Sequence, residues 1–333
     1  MRNIALLLCP FLLLSLAVRY GVGLRYPAHF PPPVYDFSGN PLSEEGIQLG
    51  RALFYDPLLS QDQSISCASC HSSYNAFAHT DHALSHGIYD SIGLRNAPAL
   101  MNLAWQPHFM WDGAIHHLDM QALAPLESPS EMGEDLVRVI AKLRGSEMYR
   151  RMFRAAYGDS AVTGERFLKA LSQFQLSLVS GGARYDRMRE GLLDFSPQEE
   201  SGHQLFRAYC ERCHAEPLFS NYAFASNGLP PDSLLQDTGR YRVTRVPADS
   251  LLFKTPTLRN LAYTYPYMHD GRFRTLRQVL DHYAQATLPG SPTPIRLDAA
   301  QKADLLAFLR TLNDSSFVFE PGFQFPSSLL LER

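Results

Sequence analysis

Apolar residues recur at helical spacing in several parts of this 333-residue chain, and those segments predict its helices. The first helix is expected to begin after Ser43, a candidate N-cap, with Glu44 and Glu45 in its first turn. The 23 prolines and 21 glycines are spread along the chain, which indicates long ordered loops. The predicted helices are 42–55, 134–144, 164–178 and 276–283. The pattern therefore predicts a mainly α-helical protein.

The second half of the sequence repeats the first. Residues 98–104 (PALMNLA) match residues 256–262 (PTLRNLA) at a constant offset of 158 positions, from 98 to 256. At the same offset Trp111-Asp112-Gly113 falls on His269-Asp270-Gly271. This period is far longer than the repeats of solenoid proteins, so the sequence predicts a duplicated domain.

Each half also carries one Cys-x-x-Cys-His motif, namely Cys67-Ala68-Ser69-Cys70-His71 and Cys210-Glu211-Arg212-Cys213-His214. In this motif the two thiols attach a c-type haem and the histidine ligates its iron. The four cysteines could instead form a structural zinc site, redox-active pairs or two disulfides. None of these alternatives requires a histidine directly after each pair. The motifs therefore predict two covalently bound c-type haems.

Together, the helices, the repeat and the motifs predict a mainly α fold of two cytochrome-c-like helical domains. Each domain is expected to surround one covalent haem, with long loops. Residues 21–180 are the predicted N-terminal haem domain, and residues 196–320 are the predicted C-terminal one. A linker is expected between them, over residues 180–195. Two domains also agree with the length of the chain.

Residues 1–20 read as a signal peptide. Arg2 precedes an apolar run over residues 4–18, and Ser15-Leu16-Ala17 is a plausible cleavage site. Export to the periplasm is therefore expected, with an uncleaved anchor or lipidation at Cys9 as the alternative. The net charge of -3 and the absence of a basic run give nucleic-acid binding no support.

The repeat makes the two iron sites unequal. Tyr283 in the second half falls on Pro125 in the first half. Tyrosine can ligate ferric haem, whereas proline has no ligating side chain. This comparison predicts an open first haem and a six-coordinate second haem. Tyr283 could instead only pack against the porphyrin, and Met268, whose counterpart is Met110, is a competing sulfur ligand.

Glu131 and Trp111 are candidate functional residues near the first haem motif. An open iron that breaks an O–O bond needs an acid–base group, and Glu131 follows Pro125 closely in the sequence. On pattern alone, a glutamate in a Pro/Ser loop is more often a solvated surface residue. Trp111, one of two tryptophans, is a candidate electron relay, although such an aromatic residue is more often part of a core.

Taken together, these residues resemble the bacterial dihaem cytochrome c peroxidase family, which includes the MauG-type enzymes. The similarity runs from about Leu42 to Asn313. The motifs that carry it are the two Cys-x-x-Cys-His sites, Arg95-Asn96-Ala97-Pro98, Trp111-Asp112-Gly113, Gln121, Pro125, Glu131-Met132, Pro256-Thr257-Leu258-Arg259-Asn260 and Tyr267-Met268-His269-Asp270-Gly271.

The resemblance implies a division of labour between the two haems. The N-terminal haem would reduce hydrogen peroxide to water, and the C-terminal haem would receive electrons from a small c-type cytochrome or cupredoxin. Glu131 would be the catalytic acid–base residue, Gln121 a polar group of the distal pocket and Trp111 the residue between the haems. A homodimer is a further expectation.

The resemblance also implies additional ligands. One Ca²⁺ between the domains would be bound by Asn96 and by the backbone carbonyls of Thr264 and Pro266, an oxygen-only set that suits calcium. His86 falls on or next to the histidine that caps the resting N-terminal haem in typical peroxidases. At the position of Tyr283, typical peroxidases carry methionine, whereas MauG-type enzymes carry tyrosine. The MauG-type enzymes oxidise tryptophans of a partner protein.

The functional prediction is a dihaem c-type peroxidase that reduces hydrogen peroxide with electrons from a small donor protein. A MauG-like oxidase of a protein or organic substrate is one alternative. A non-catalytic dihaem electron carrier is the other.

Overall fold

The structure is a computed structural model that describes residues 22–286 and 295–331. Within these residues the chain forms fourteen α-helices and one short antiparallel strand pair, β1 (Phe224–Ala225) with β2 (Phe253–Lys254). The helices are α1 (Glu44–Tyr55), α2 (Cys67–Cys70), α3 (Leu118–Gln121), α4 (Leu123–Glu127), α5 (Leu136–Gly145), α6 (Glu147–Tyr157), α7 (Gly164–Ser177), α8 (Arg184–Arg189), α9 (Pro197–Tyr209), α10 (Tyr241–Thr244), α11 (Leu276–Gln285), α12 (Ala299–Arg310), α13 (Ser315–Val318) and α14 (Ser327–Leu330). The prediction of a mainly α fold is confirmed.

The four predicted helices correspond to α1, α5, α7 and α11, and each agrees within two residues at both ends. Side-chain caps explain where they begin. The Ser43 hydroxyl accepts the N–H of Gly46 at the start of α1, and Thr163 and Thr275 cap α7 and α11 in the same way. Each cap satisfies a backbone donor that has no partner inside its helix.

A close helix crossing is built in the same way in both halves. The helix α1 crosses α7 at Gly50, where a Cβ would lie 1.9 Å from the carbonyl oxygen of Ala170. The helix α9 crosses α12 at Gly202, where a Cβ would lie 2.0 Å from the carbonyl oxygen of Asp304. A pair of phenylalanine rings packs beside each crossing. These pairs are Phe54–Phe174 at 5.2 Å and Phe206–Phe308 at 5.1 Å between centroids. The duplication seen in the sequence is thus also present in the packing.

The segment predicted to be a linker is a packed part of the structure. It contains α8, and Asp186 of this helix accepts two hydrogen bonds from Arg259, at 2.7 and 2.8 Å. Both side chains are buried, with 0% and 1% exposure. The segment before α1, residues 22–42, is called the N-terminal arm here, and its His29 and Phe30 also reach this pair. His29 bonds to Asp186, and Phe30 lies under the guanidinium of Arg259. The buried ion pair therefore joins the arm, α8 and the second half.

The described residues contain two hydrophobic cores. The first core is formed mainly by residues before 180, but it also includes Phe317 and Val318, because the C-terminal segment returns to the first half. There the Tyr55 hydroxyl donates to the carbonyl oxygen of Phe323 at 2.7 Å. The domain limits 21–180 and 196–320 stay predictions.

No helix in the two described ranges has the length and apolar character needed to cross a membrane. The predicted signal peptide over residues 1–20 lies outside the described residues.

Candidate functional site

Both Cys-x-x-Cys-His motifs line one continuous cavity of about 600 Å³. Cys67 and Cys70 are the first and last residues of α2, and Cys210 is the C-cap of α9. The thiols of both pairs are free, so no disulfide occupies them. The first and the second half of the chain therefore present their haem-attachment motifs to a shared space.

The two motif histidines are held in equivalent ways. His71 Nδ1 lies 2.9 Å from the carbonyl oxygen of Phe77, and His214 Nδ1 lies 3.1 Å from that of Pro256. A carbonyl can only accept, so Nδ1–H donates and Nε2 keeps its lone pair for a metal. Burial lowers the pKa of each imidazole to about 4, which keeps both neutral. A neutral imidazole is the form that ligates iron.

The zinc alternative does not fit this geometry. Burial raises the pKa of the Cys67 and Cys210 thiols to about 12. In the part of the chain that the structure describes, no group of three or more His, Cys, Asp or Glu side chains could hold a metal ion. Free thiols next to a histidine, lining an apolar cavity, fit a covalently attached haem.

Gln121, Pro125 and Glu131 line the same cavity. The charge of Glu131 contributes to the raised pKa of both the Cys67 and the Cys70 thiol, so its carboxyl group lies within electrostatic reach of both. Burial in turn raises the pKa of Glu131. A carboxyl group with a raised pKa can donate a proton closer to neutral pH. The pattern-based interpretation of Glu131 as a solvated surface residue is therefore wrong.

Glu131 is held in place by the loop that follows the first motif. Its carbonyl oxygen accepts the N–H of Ile88 at 2.8 Å, and its own N–H donates to Ser128 at 3.0 Å. Gly87 allows this approach, because a Cβ there would lie 2.5 Å from the Cα of Glu131. Gln121 is positioned separately, with its amide 3.8 Å from the Met110 sulfur.

The second motif has different neighbours. Tyr283 of α11 lines the cavity, and burial raises the pKa of its hydroxyl, with further contributions from Cys210 and Cys213. Met268 also lines the cavity, and its sulfur accepts the amide N–H of Asn227 at 3.6 Å. Two potential ligands therefore face the space beside the second motif. Tyr283 as the iron ligand stays a prediction, with Met268 as the alternative.

Trp111 connects the two halves. Its indole N–H donates to the carbonyl oxygen of Asn96 at 2.8 Å, and its carbonyl oxygen accepts the N–H of Lys254 at 2.7 Å. The ring of His269 lies edge-on to the indole, with 6.5 Å between centroids. Trp111 thus contacts both halves at the cavity. Its role as an electron relay stays a prediction.

The remaining predicted ligands are divided between the cavity and the surface. Asn96, Thr264 and Pro266 line the cavity, and the Asn96 amide donates to the carbonyl oxygen of Ala83 at 3.0 Å. His86 instead pairs with the exposed Asp90 at 2.5 Å and stacks on a neighbouring histidine ring, outside the cavity lining. Calcium binding and ligation by His86 in the resting state stay predictions.

Sequence reasoning did not single out His269 and Lys254 as site residues. His269 is buried, stacks on Phe253 with 3.7 Å between centroids, and leaves Nδ1 without a hydrogen-bond partner. The repeat did contain a signal for it, because His269 falls on Trp111 at the offset of 158. Lys254 lines the cavity, where burial lowers its pKa to about 7, and nothing in the local sequence pattern indicates this.

A mainly helical, duplicated fold with two Cys-x-x-Cys-His motifs on one cavity defines a two-haem c-type cytochrome. The family model for di-haem cytochrome c peroxidases matches residues 44–193. The methylamine utilization protein MauG of Methylorubrum extorquens is 35% identical over 303 residues, which are 86% of this chain and 82% of that protein. Cytochrome c551 peroxidase of Nitrosomonas europaea is 33% identical over 299 residues, 86% of this chain and 84% of that protein. The chain belongs to the di-haem cytochrome c peroxidase family.

Solved structures support the same assignment. A crystal structure of a MauG-like protein associated with microbial copper homeostasis superposes with a TM-score of 0.82 at 33% identity, covering 92% of this chain and 99% of that one. The diheme peroxidase BthA from Burkholderia thailandensis has a TM-score of 0.71 at 24% identity, covering 90% and 94%. This second similarity supports the fold alone. Membership of the family implies two c-type haems.

Proposed function

We propose that the protein is a dihaem c-type peroxidase that reduces hydrogen peroxide to water with electrons from a small c-type cytochrome or cupredoxin. The observation that carries the proposal is the position of Glu131. This carboxyl group has a raised pKa and lies within electrostatic reach of both cysteines of the first motif, in the cavity that His71 also lines. An electron carrier has no use for a proton donor at this position.

The chain supplies the proton transfers of the reaction. Reduction of one peroxide takes two protons and two electrons and gives two waters. A haem held by Cys67, Cys70 and His71 would supply the iron that binds peroxide and accepts the electrons. Glu131 takes the proton from the bound peroxide and returns it to the leaving oxygen. Pro125 lines the same cavity and has no side chain that could ligate the iron.

Two further residues assist the reaction. The Gln121 amide donates hydrogen bonds within the pocket and orients the peroxide oxygens. Trp111, which contacts both halves of the chain, couples the His71 site to the His214 site. Electrons from the donor protein enter on the His214 side and reach the first site through this contact.

The direct test is steady-state peroxide reduction by Glu131→Gln with a reduced c-type cytochrome as donor. Loss of the acid–base group should lower turnover by about 10²–10⁴-fold. Haem content should not change. Glu127→Gln is the matched control, because it removes the same charge from an exposed position of the neighbouring helix α4. Wild-type turnover in Glu131→Gln would refute the assigned role.

A carbon monoxide experiment separates the peroxidase from the electron carrier. An iron that does chemistry must have an open or releasable position, so the ferrous protein should bind carbon monoxide at one haem. Absence of binding at both irons would favour the carrier and overturn the open-site argument.

Tyr283 favours a second candidate function, that of a MauG-like oxidase of a protein or organic substrate. A phenolate ligand stabilises ferric iron, which does not suit a high-potential haem that accepts electrons. The ferric spectrum of Tyr283→Phe tests this idea, because an unchanged second haem would assign the ligand to Met268 or to another group. Peroxide reduction is then measured with a reduced cytochrome as donor, with and without prior half-reduction of the protein. Rapid turnover in this assay would favour the peroxidase.

We also propose that the protein is exported to the periplasm and binds one Ca²⁺ through Asn96, Thr264 and Pro266. Asn96, Thr264 and Pro266 line the cavity, and carbonyl and amide oxygens are ligands that calcium prefers. N-terminal sequencing of the mature protein tests cleavage near residue 20. Metal analysis before and after chelation, with Asn96→Ala as the comparison, tests the calcium site.

A further inference from the structure

His108 and His116 form a cross-strand pair on a short hairpin whose turn carries Trp111. Phe109 and Ile115 make an isolated antiparallel bridge, with the Phe109 N–H donating to the Ile115 carbonyl oxygen at 2.8 Å. His108 and His116 are the next residues outward on the two arms. Side chains at directly opposite positions of antiparallel arms point to the same side and lie close together.

The two imidazoles face each other through their Nδ1 atoms, which lie 3.0 Å apart. The rings are nearly perpendicular, at 81°, with 5.0 Å between centroids. Two imidazole nitrogens bound to one metal at about 2.0–2.1 Å lie about 2.9 Å apart at a right angle and about 3.4 Å apart at a tetrahedral angle. The observed separation therefore matches adjacent positions of the tetragonal geometry that Cu²⁺ adopts with nitrogen ligands.

We propose that His108 and His116 form a bidentate surface site for a divalent transition metal ion, with Cu²⁺ preferred. The metal would take the place of the hydrogen bond between the two Nδ1 atoms, and the proton of the donating Nδ1 would move through solvent to Nε2 of the same ring. His116 is exposed and His108 is partly buried, so the site is open to solvent and water completes the coordination. The adjacent His117 is not a ligand, because its Nδ1 accepts the N–H of Asp119 at 3.2 Å.

Two basic side chains, Arg240 and Lys254, lie within electrostatic reach of His108. The Lys254 ammonium donates to Gln106 and to the His108 carbonyl oxygen, at 2.5 and 2.9 Å. The Arg240 guanidinium is held by the carbonyl oxygen of Asp112 at 3.0 Å. Both cations thus have partners on the protein, and binding depends on coordination bonds more than on charge.

Metal binding at this pair would tie together the two arms of the hairpin. The arms enclose Trp111-Asp112-Gly113, and Trp111 lines the cavity. A ligand that binds the folded hairpin and not the unfolded chain stabilises the folded state by mass action. Bound Cu²⁺ should therefore raise the melting temperature of the haem-loaded protein.

The test is titration of the full-length, haem-loaded and chelator-treated protein with Cu²⁺, followed by the nitrogen hyperfine pattern in electron paramagnetic resonance. One equivalent should bind to the wild type with two nitrogen ligands. His108→Phe and His116→Phe should each weaken binding by about a hundredfold, because a chelating pair becomes a single ligand. Zn²⁺ titration by calorimetry gives a second measure that is free of signals from the haem irons.

His117→Phe is the matched control, and it should leave Cu²⁺ binding and the thermal shift unchanged. His116→Phe, at an exposed position, should keep wild-type haem content and peroxide turnover, which separates metal binding from folding. The proposal is overturned if the wild type binds no more Cu²⁺ than the His108→Phe/His116→Phe double variant. It is equally overturned if His117→Phe weakens binding as much as either single variant.

Discussion

Gly87 is the position at which a single methyl group tests the placement of Glu131. A Cβ on Gly87 would lie 2.2 Å from the carbonyl oxygen of Ser130 and 2.5 Å from the Cα of Glu131. The backbone angles of Gly87, φ -99° and ψ -158°, lie in the extended region that alanine also adopts. Gly87→Ala therefore acts through contact between two loops and not through backbone strain.

The size of the effect follows from these distances. Ordinary van der Waals contact of a Cβ begins at 3.4 Å, so the two loops must separate by roughly 1 Å. A misplacement of about 1 Å at a catalytic group can cost about 10²-fold in rate. We expect Gly87→Ala to lower kcat/KM for peroxide by about a hundredfold, or about 2.7 kcal/mol in transition-state stabilisation.

The assay is steady-state peroxide reduction, accompanied by haem content and the melting temperature. Gly93→Ala is the control from the same loop, because its Cβ would find its nearest heavy atom, the Ser85 carbonyl oxygen, at 3.4 Å. This control should stay within about threefold of the wild type. Unchanged kcat/KM in Gly87→Ala, or an equal loss in Gly93→Ala, would refute the argument that this contact positions Glu131.

Three further predictions concern stability. Gly202→Ala should destabilise the fold by at least about 1–3 kcal/mol in chemical denaturation, because its Cβ would lie 2.0 Å from a backbone oxygen of α12. Gly145→Ala is the control, because a Cβ there would have no heavy atom within 4 Å, and it should stabilise the fold by up to about 1 kcal/mol. Equal effects of the two changes on stability would contradict the close contact of α9 and α12 at Gly202. Arg259→Met should cost about 3–5 kcal/mol because it removes the guanidinium that pairs with the buried Asp186 charge and leaves His29 as its other side-chain partner. A loss below about 1 kcal/mol would count against this. Burial raises the folded-state pKa of Glu131 above 4.5, so its stability contribution is complete below about pH 4.5 and falls as pH rises. The melting temperature of Glu131→Gln relative to the wild type should therefore increase from about pH 4 to about pH 8, and a difference that does not depend on pH would disprove this.

Local sequence determined the helices and their starting points. Ser43 and Thr163 begin α1 and α7 because their hydroxyl groups accept backbone N–H groups three residues on, and such caps are visible in the sequence. The packing of α8 against the second half of the chain could not be predicted from the sequence. It depends on Asp186 and Arg259, which are 73 positions apart, and no local pattern reports a contact of that range.

The residues of the candidate site also fall into two groups, those that the sequence identified directly and those that it did not. The motifs identified His71 and His214 directly, because covalent attachment requires cysteines and histidine at fixed spacing. The burial of Glu131 could not be derived from its Pro/Ser surroundings, since no local pattern reports the approach of the second loop at Gly87. The position of Glu131 shortly after Pro125 made it a candidate, and the resemblance to a family then indicated its role.

The repeat explains why the two haem sites should behave differently. Duplication preserved the motif side of each site, where His71 and His214 donate Nδ1–H to backbone carbonyls in equivalent ways. Backbone acceptors persist through side-chain substitution, so this side changes little. The other lining residues come from side chains that diverged, with Pro125 near the first motif and Tyr283 near the second. Pro125 has no ligating side chain at this position, so the proposed function assigns the open iron and the acid–base residue Glu131 to the first site. Under the proposed function, the same fold would provide one site for chemistry and one for electron supply.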